Sequence, residues 1–138
     1  MKVVDLDGNV TEWKLSRAKI ITEDKRPRSK YHVAARKLLS ELYPTTPSVE
    51  EAPIIVHVST RLYLDFYIPW LTIAVEVHGQ QHYEYCHHFH GNQMGFLTQR
   101  RNDRLKAEWC ELNDVELIIL PYNEDKDDWT KRITGHSE

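Results

Sequence analysis

The stretch that decides the reading runs Leu64-Asp65-Phe66-Tyr67-Ile68-Pro69-Trp70-Leu71-Thr72-Ile73-Ala74-Val75-Glu76-Val77-His78-Gly79. Its first half alternates, which predicts a strand from Leu62 to Ile68. Leu62, Leu64, Phe66 and Ile68 are expected on one face, and Tyr63, Asp65 and Tyr67 on the other. The second half, Thr72 to His78, predicts another strand, with Ile73, Val75 and Val77 opposite Ala74, Glu76 and His78. Pro69 and Trp70 occupy the short link, so the two strands pair antiparallel. Glu76 lies inside an apolar strand, where an unpaired carboxylate is expensive to bury.

A cation facing Glu76 would remove that expense. The link brings Asp65 to the neighbouring strand. Two carboxylates and a nearby backbone carbonyl form a hard oxygen site suited to Mg²⁺ or Mn²⁺. The bland alternative is a pair of strand-edge acids facing solvent.

Working outward, Val3 to Leu6 and Val10 to Trp13 flank Asp7-Gly8-Asn9 and predict a small β-hairpin. Residues 20–30 lose periodicity and gain charge, which predicts a basic arm containing Lys25, Arg26 and Arg28. Ser29 can cap a helix to about Tyr43, with Val33, Leu38, Leu39 and Leu42 on its apolar face. Pro53 to Val56 predicts a short strand, and Gln93 to Asn113 a helix with Leu97, Leu105, Trp109 and Leu112 near one stripe. Val115 to Leu120 predicts a buried strand, followed by a short helix from about Asp125 to Ile133. The expected fold class is α/β, an α+β mixed sheet with an αβββαβ core behind an N-terminal hairpin. The expected organisation is a hairpin and arm over residues 1–28 and one domain over residues 29–138.

Composition narrows the function classes. With 138 residues, 41% hydrophobic and 28% charged, the chain suits one domain with a core and not wholesale disorder. A net charge of −3 argues against a uniformly basic nucleic-acid binder, although Lys25–Lys30 and Arg100, Arg101, Arg104 and Lys106 form local basic clusters. No apolar run approaches the ~20 residues of a membrane span, and two cysteines are too few for a disulfide framework. The expected setting is a reducing cytoplasm.

In this context Asp65, Glu76-Val77-His78, His78-Gly79, His82 and Asp103-Arg104 ahead of a terminal strand resemble the PD-(D/E)XK nuclease superfamily. The closer resemblance is to its very-short-patch repair branch and related phage and homing endonucleases, over about Ser29 to Leu120. Two departures stand out. His78 occupies the usual lysine position, and the superfamily's helix glutamate has no clear equivalent, since His32 falls near its place and Glu41 lies further along.

The resemblance implies a restriction-endonuclease-like core and a metal-dependent DNA endonuclease of phage or bacterial type, serving repair, recombination or DNA mobility in a bacterial cell or a phage-infected host. Asp65 and Glu76 would hold Mg²⁺ or Mn²⁺, His82 would act as base, and His78 would replace the lysine. Asp103 would orient His82 or bind a second ion. Arg100, Arg104 and the arm residues Lys25, Arg26 and Arg28 would contact DNA phosphates, and a homodimer or partner protein would allow both strands to be cut. Asp103 also has a plainer reading, as an ion-pair partner of Arg100 or Arg104.

The histidine-rich loop admits a second metal reading. Cys86, His87, His88 and His90, with His82 before and Cys110 after, could hold zinc, though CxxC spacing is absent. Histidines lining a wet cleft are the commoner explanation, and Tyr83 and Tyr85 could stack on bases. The rival function is therefore a non-catalytic, DNA-binding or zinc-stabilised module on the same fold. An RNA substrate is also compatible with the sequence.

Overall fold

A computed structural model describes residues 1–15, 19–20 and 29–135, apart from the side chains of Lys19, Ile20, His88 and Phe89. The arm residues Lys25, Arg26 and Arg28 lie outside the described residues. The chain has a mixed α/β architecture. A small hairpin, β1 (Lys2–Val4) and β2 (Val10–Glu12), precedes a short β3 (Lys19–Ile20). Helix α1 (Lys30–Leu42) leads into β4 (Val49–His57), β5 (Thr60–Ile68) and β6 (Ile73–His78). A single 3₁₀ turn (Gln80–His82) and the short α2 (His87–His90) then reach α3 (Gln93–Leu112), β7 (Glu116–Pro121) and α4 (Lys126–Thr134). The main sheet has the order β3-β4-β5-β6-β7. Its neighbours are antiparallel except β6 and β7, which run parallel with α3 as the crossover.

Helix α1 begins where expected, because the Ser29 hydroxyl accepts from the His32 N–H at 3.1 Å. Its buried face is His32, Ala35, Leu38 and Leu39, whereas Val33 is exposed. Together with α4, this face covers Phe66, Ile68, Ile73, Val75, Val77 and Leu120 on one side of the sheet. On the opposite side, Trp109 and Cys110 of α3 pack on Ala52, Ile54, Leu64 and Ala74. The stripe expected on α3 is corrected accordingly: Leu97 is exposed because the buried residues of the helix lie in its C-terminal half, and Leu112 because it falls off the face of Trp109 and Cys110. The hairpin joins this second core through Val3, and Trp13 Nε1 donates to the Pro53 carbonyl at 2.7 Å.

Strand β4 is longer than expected and carries Pro53 inside it, facing Tyr63 of β5. Among the described residues β3 pairs only with Val49 and Glu50, so Pro53 removes no donor from that pairing.

The expected alternation along β5 is overturned at Asp65. Leu64 packs on the α3 side, and Phe66 and Ile68 pack on the α1 side. The cause is visible in β4, where the ladder skips Glu51, which adopts φ +51 opposite Asp65. A left-handed residue twists the strand and shifts its phase, so two neighbours of equal parity serve opposite faces. On β6 the alternation holds, with Ile73, Val75 and Val77 on the α1 side.

Candidate active site

Strands β5 and β6 pair at Ile68–Ile73, Tyr67–Ala74 and Phe66–Val75, and there the ladder stops. The next opposed pair would be Asp65 and Glu76. Their carboxylates replace the ladder bonds: Glu76 Oε2 accepts from the Asp65 N–H at 2.5 Å, and Asp65 Oδ2 accepts from the Val77 N–H at 2.8 Å. The two strands thus form a fork with one carboxylate on each prong. Beyond it, β5 continues alongside β4, and β6 continues alongside β7 to His78.

A cleft of about 300 Å³ opens at this fork. Its walls are Asp65, Glu76 and Val77 from the fork, Ser29 and His32 from α1, Gln81 and His82 from the turn after β6, and Gln99 and Lys106 from α3. Helices packed on opposite faces of the sheet reach one space because the sheet is open there. Two more apolar clefts, of about 250 and 230 Å³, lie elsewhere and are lined by neither fork carboxylate.

Glu76 is almost fully buried, and Lys106 Nζ reaches its Oε1 at 2.7 Å. Burial first, and the Asp65 charge second, push the Glu76 carboxyl up to about 8, with Lys106 pulling against both. The Lys106 ammonium is itself held above its ordinary range: burial lowers it, and Glu76 outweighs that effect. Lys106 stood in the sequence only as part of a basic cluster. The signal that could have singled it out is its spacing from Gln99 and Asp103, which puts all three on one helix face.

Beside the carboxylates stands a histidine–aspartate pair. His82 Nδ1 lies 2.9 Å from Asp103 Oδ2, and Gln99 Nε2 donates to Asp103 Oδ1 at 3.4 Å. Burial alone would raise the Asp103 carboxyl, but the hydrogen bond and charge of His82 hold it below the usual range. Asp103 therefore spends its charge on His82 and not on Arg100 or Arg104. His78 stacks on His82 with ring centroids 4.0 Å apart and planes within 6°. Burial, and then the His82 charge, lower His78 to about 4, so it stays neutral. The position where a lysine was expected thus holds a neutral ring, and the ammonium comes from α3.

His78, His82 and Asp103 each offer a ligand atom within 4.8 Å of the others. Parallel rings do not aim their in-plane lone pairs at a common point, so this trio suits proton handling better than chelation. Asp65 and Glu76 offer only oxygen and face each other across the fork, which fits a hard divalent ion. Each of their oxygens accepts one hydrogen bond at most in the contacts above and keeps a further lone pair.

The remaining expected residues lie outside the cleft. Arg104 is exposed and lies 3.9 Å from Glu108, and Arg100 sits over the Phe96 ring. In the loop, His90 uses both ring nitrogens, Nδ1 accepting from the Cys86 N–H and Nε2 donating to the Gln81 carbonyl. The Tyr85 hydroxyl bonds His87 Nδ1 at 2.9 Å. Cys110 is buried in the second core, where burial pushes its thiol up to about 12. The His88 side chain lies outside the described residues.

No protein-family model and no solved structure matches the chain. It is similar to uncharacterized protein 307L of Invertebrate iridescent virus 6, 44% identical over 62 residues, which are 45% of this chain and 32% of that protein. Uncharacterized protein 033L of Invertebrate iridescent virus 3 is 37% identical over 62 residues, again 45% of this chain and 32% of the relative. Uncharacterized protein 094L of Frog virus 3 is 39% identical over 62 residues, 44% of this chain and 40% of the relative. The matched stretch thus spans a third or so of each curated relative.

Proposed function

We propose that the chain is a divalent-metal-dependent phosphodiesterase that cuts DNA as an endonuclease. The observation that carries this reading is the fork: two carboxylates opposite one another, one of them ion-paired to a half-buried lysine, in a cleft that His82 lines with Asp103 behind it. The order α1-β4-β5-β6-α3-β7 agrees with the αβββαβ core expected of the PD-(D/E)XK superfamily, and we read the fold as restriction-endonuclease-like.

Asp65 and Glu76 would hold Mg²⁺ or Mn²⁺, which supplies Lewis acidity toward a phosphodiester oxygen. The protein's own groups do the rest. Asp103 accepts from His82 Nδ1, which leaves Nε2 as the basic nitrogen. That nitrogen takes a proton from water as its oxygen attacks phosphorus and one P–O ester bond breaks. Asp103 then stabilises the imidazolium. Lys106 balances the Glu76 charge and can donate to negative charge growing on phosphate oxygens. His78, neutral and stacked, keeps the His82 ring in its plane.

Because the relatives are viral proteins, we place the activity in a virus-infected cell. No helix among the described residues is long and apolar enough to cross a membrane. The arm, with Lys25, Arg26 and Arg28, and the exposed Arg100 and Arg104 would supply additional phosphate contacts.

The test is cleavage of supercoiled, linear, single-stranded, branched and mismatched DNA with Mg²⁺ or Mn²⁺. Metal-dependent cleavage should fall at least about 100-fold in Asp65→Ala and in Glu76→Ala, the scale of losing a transition-state electrostatic contact. Unimpaired cleavage by either variant would refute the assignment. Binding without cleavage in every condition would favour the non-catalytic module.

A further inference from the structure

Three tyrosines lead away from the histidines and take no part in that chemistry. They arrive from three places in the chain. Strands β6 and β7 run parallel and end side by side at His78 and Pro121, so Tyr122 follows directly, its N–H donating to the His78 carbonyl at 2.9 Å. Tyr83 closes the turn after β6, and Tyr31 lies in the first turn of α1. Their rings form a row: His78 to Tyr83 is 6.0 Å between centroids, Tyr83 to Tyr122 is 6.1 Å, and Tyr122 to Tyr31 is 6.1 Å. His78 is itself stacked on His82, so the row starts beside the proposed general base.

Core packing does not account for this row. Tyr31 touches the first core, yet it and Tyr122 line an open cleft of about 250 Å³ between α1 and α4, and Tyr83 is 50% exposed. The acids of that cleft are already engaged. Glu41 pairs with Lys126 at 2.8 Å, Glu124 pairs with Arg132 at 2.5 Å, and Asp125 caps α4 by accepting from the Asp128 N–H at 2.8 Å. At the far end of the row the exposed Lys30 places its Nζ 5.0 Å from the Tyr31 centroid. Aromatic faces with a cation beside them suit a nucleic-acid strand, whose bases stack on rings whatever their identity.

Spacing and tilt decide which form of DNA can use such a row. Bases in a duplex strand lie parallel and ~3.4 Å apart. The neighbouring tyrosines are 6.1 Å apart and tilted by 41° and 63°. Successive bases can meet these rings only when they are drawn apart and turned, as an unpaired strand allows.

We propose that Tyr83, Tyr122 and Tyr31 form a stacking path for unpaired nucleotides next to the scissile phosphate. The inference rests on the DNA-directed reading above and names the form of DNA: a single strand, or the unpaired arm of a branched substrate.

The experiment uses the full chain in EDTA, so that no strand is cut. Oligothymidylate carrying 5-iodouracil, irradiated on the wild type, should cross-link to tyrosines of the row, a result that needs no variant to fold. Unmodified oligothymidylate should bind more tightly than a blunt duplex of equal length. Tyr83→Ala should weaken single-strand binding about 5–100-fold at an unchanged salt slope, because a ring face is lost and no charge. Tyr83→Phe should keep the affinity and Tyr83→Leu should not, which separates a stacking face from apolar bulk.

Cross-links confined to other aromatic residues, such as Tyr85 or Trp70, would overturn the path. So would a duplex bound as tightly as the single strand, or undiminished binding by Tyr83→Ala or Tyr83→Leu. Cleavage that still needs Mg²⁺ or Mn²⁺, Asp65 and Glu76 would then leave the phosphodiesterase reading standing. Tyrosine-dependent binding without metal-dependent cleavage would support the path and overturn the phosphodiesterase reading. Failure to bind DNA in any form would overturn both.

Discussion

Lys106 is where one residue's chemistry weighs most. It pulls down a carboxyl that burial and Asp65 push up, and it does so from a helix and not from the strand of Glu76. On the proposed phosphodiesterase reading, Lys106→Met should lower metal-dependent cleavage at least about 100-fold, because the cation that would face the reacting phosphate is gone. Lys106→Arg should restore part of the rate by returning charge in a different shape. The rates are to be measured at saturating metal, with the circular dichroism spectrum as control for folding. A Lys106→Met protein that cleaves normally would show that the ammonium serves only the stability of Glu76.

At the level of elements, the end of α3 and its hand-over to β7 hold an identifiable weakness. Asp114 follows the C-cap Asn113 and adopts φ +55, a conformation that glycine takes without steric cost. Its negative charge also stands at the negative end of the helix dipole. Asp114→Gly should therefore raise stability by about 0.5–1 kcal/mol, read as a higher urea midpoint at unchanged slope. A lower midpoint would mean that the Asp114 side chain makes a contact worth more than the strain. The fork is the contrasting case. Glu51 also has positive φ, but its twist shifts the phase of β4 and β5 where Asp65 must leave the ladder. Strain there serves the geometry of the site.

For the molecule as a whole, the question is how the hairpin is held to the sheet domain. Asn113 answers it by mimicking a strand: its Oδ1 accepts from the Val4 N–H at 2.7 Å, and its Nδ2 donates to the Val4 carbonyl at 2.9 Å. The same amide donates to the Trp109 carbonyl at 2.9 Å. Asn113→Ala should cost about 2–3 kcal/mol, since it strands partly buried backbone groups. Amide hydrogen exchange should speed up at Val4 while β5, β6 and β7 remain protected. Equal acceleration throughout would show that the hairpin and the sheet unfold as one unit.

The sequence by itself determined those features that depend on local order. The Ser29 cap, the tight link before Ile73, the strand and helix sequence from α1 to β7, and the carboxylates Asp65 and Glu76 were legible because capping, turn chemistry and two-residue alternation act between near neighbours. The His82–Asp103 pairing was legible only as an expectation from resemblance, and the structure places the two side chains in contact. Tertiary structure alone decided the rest. The break in the β5 alternation comes from Glu51 on another strand, and the exposure of Leu97 from where α3 leaves the sheet. The contact of Lys106 with Glu76 joins residues far apart in the chain, as does the seat of His32 against Glu50. Periodicity shows which side of an element is buried; it carries no record of which distant charge waits there, because a pairing across the fold is set by packing and not by spacing along the chain.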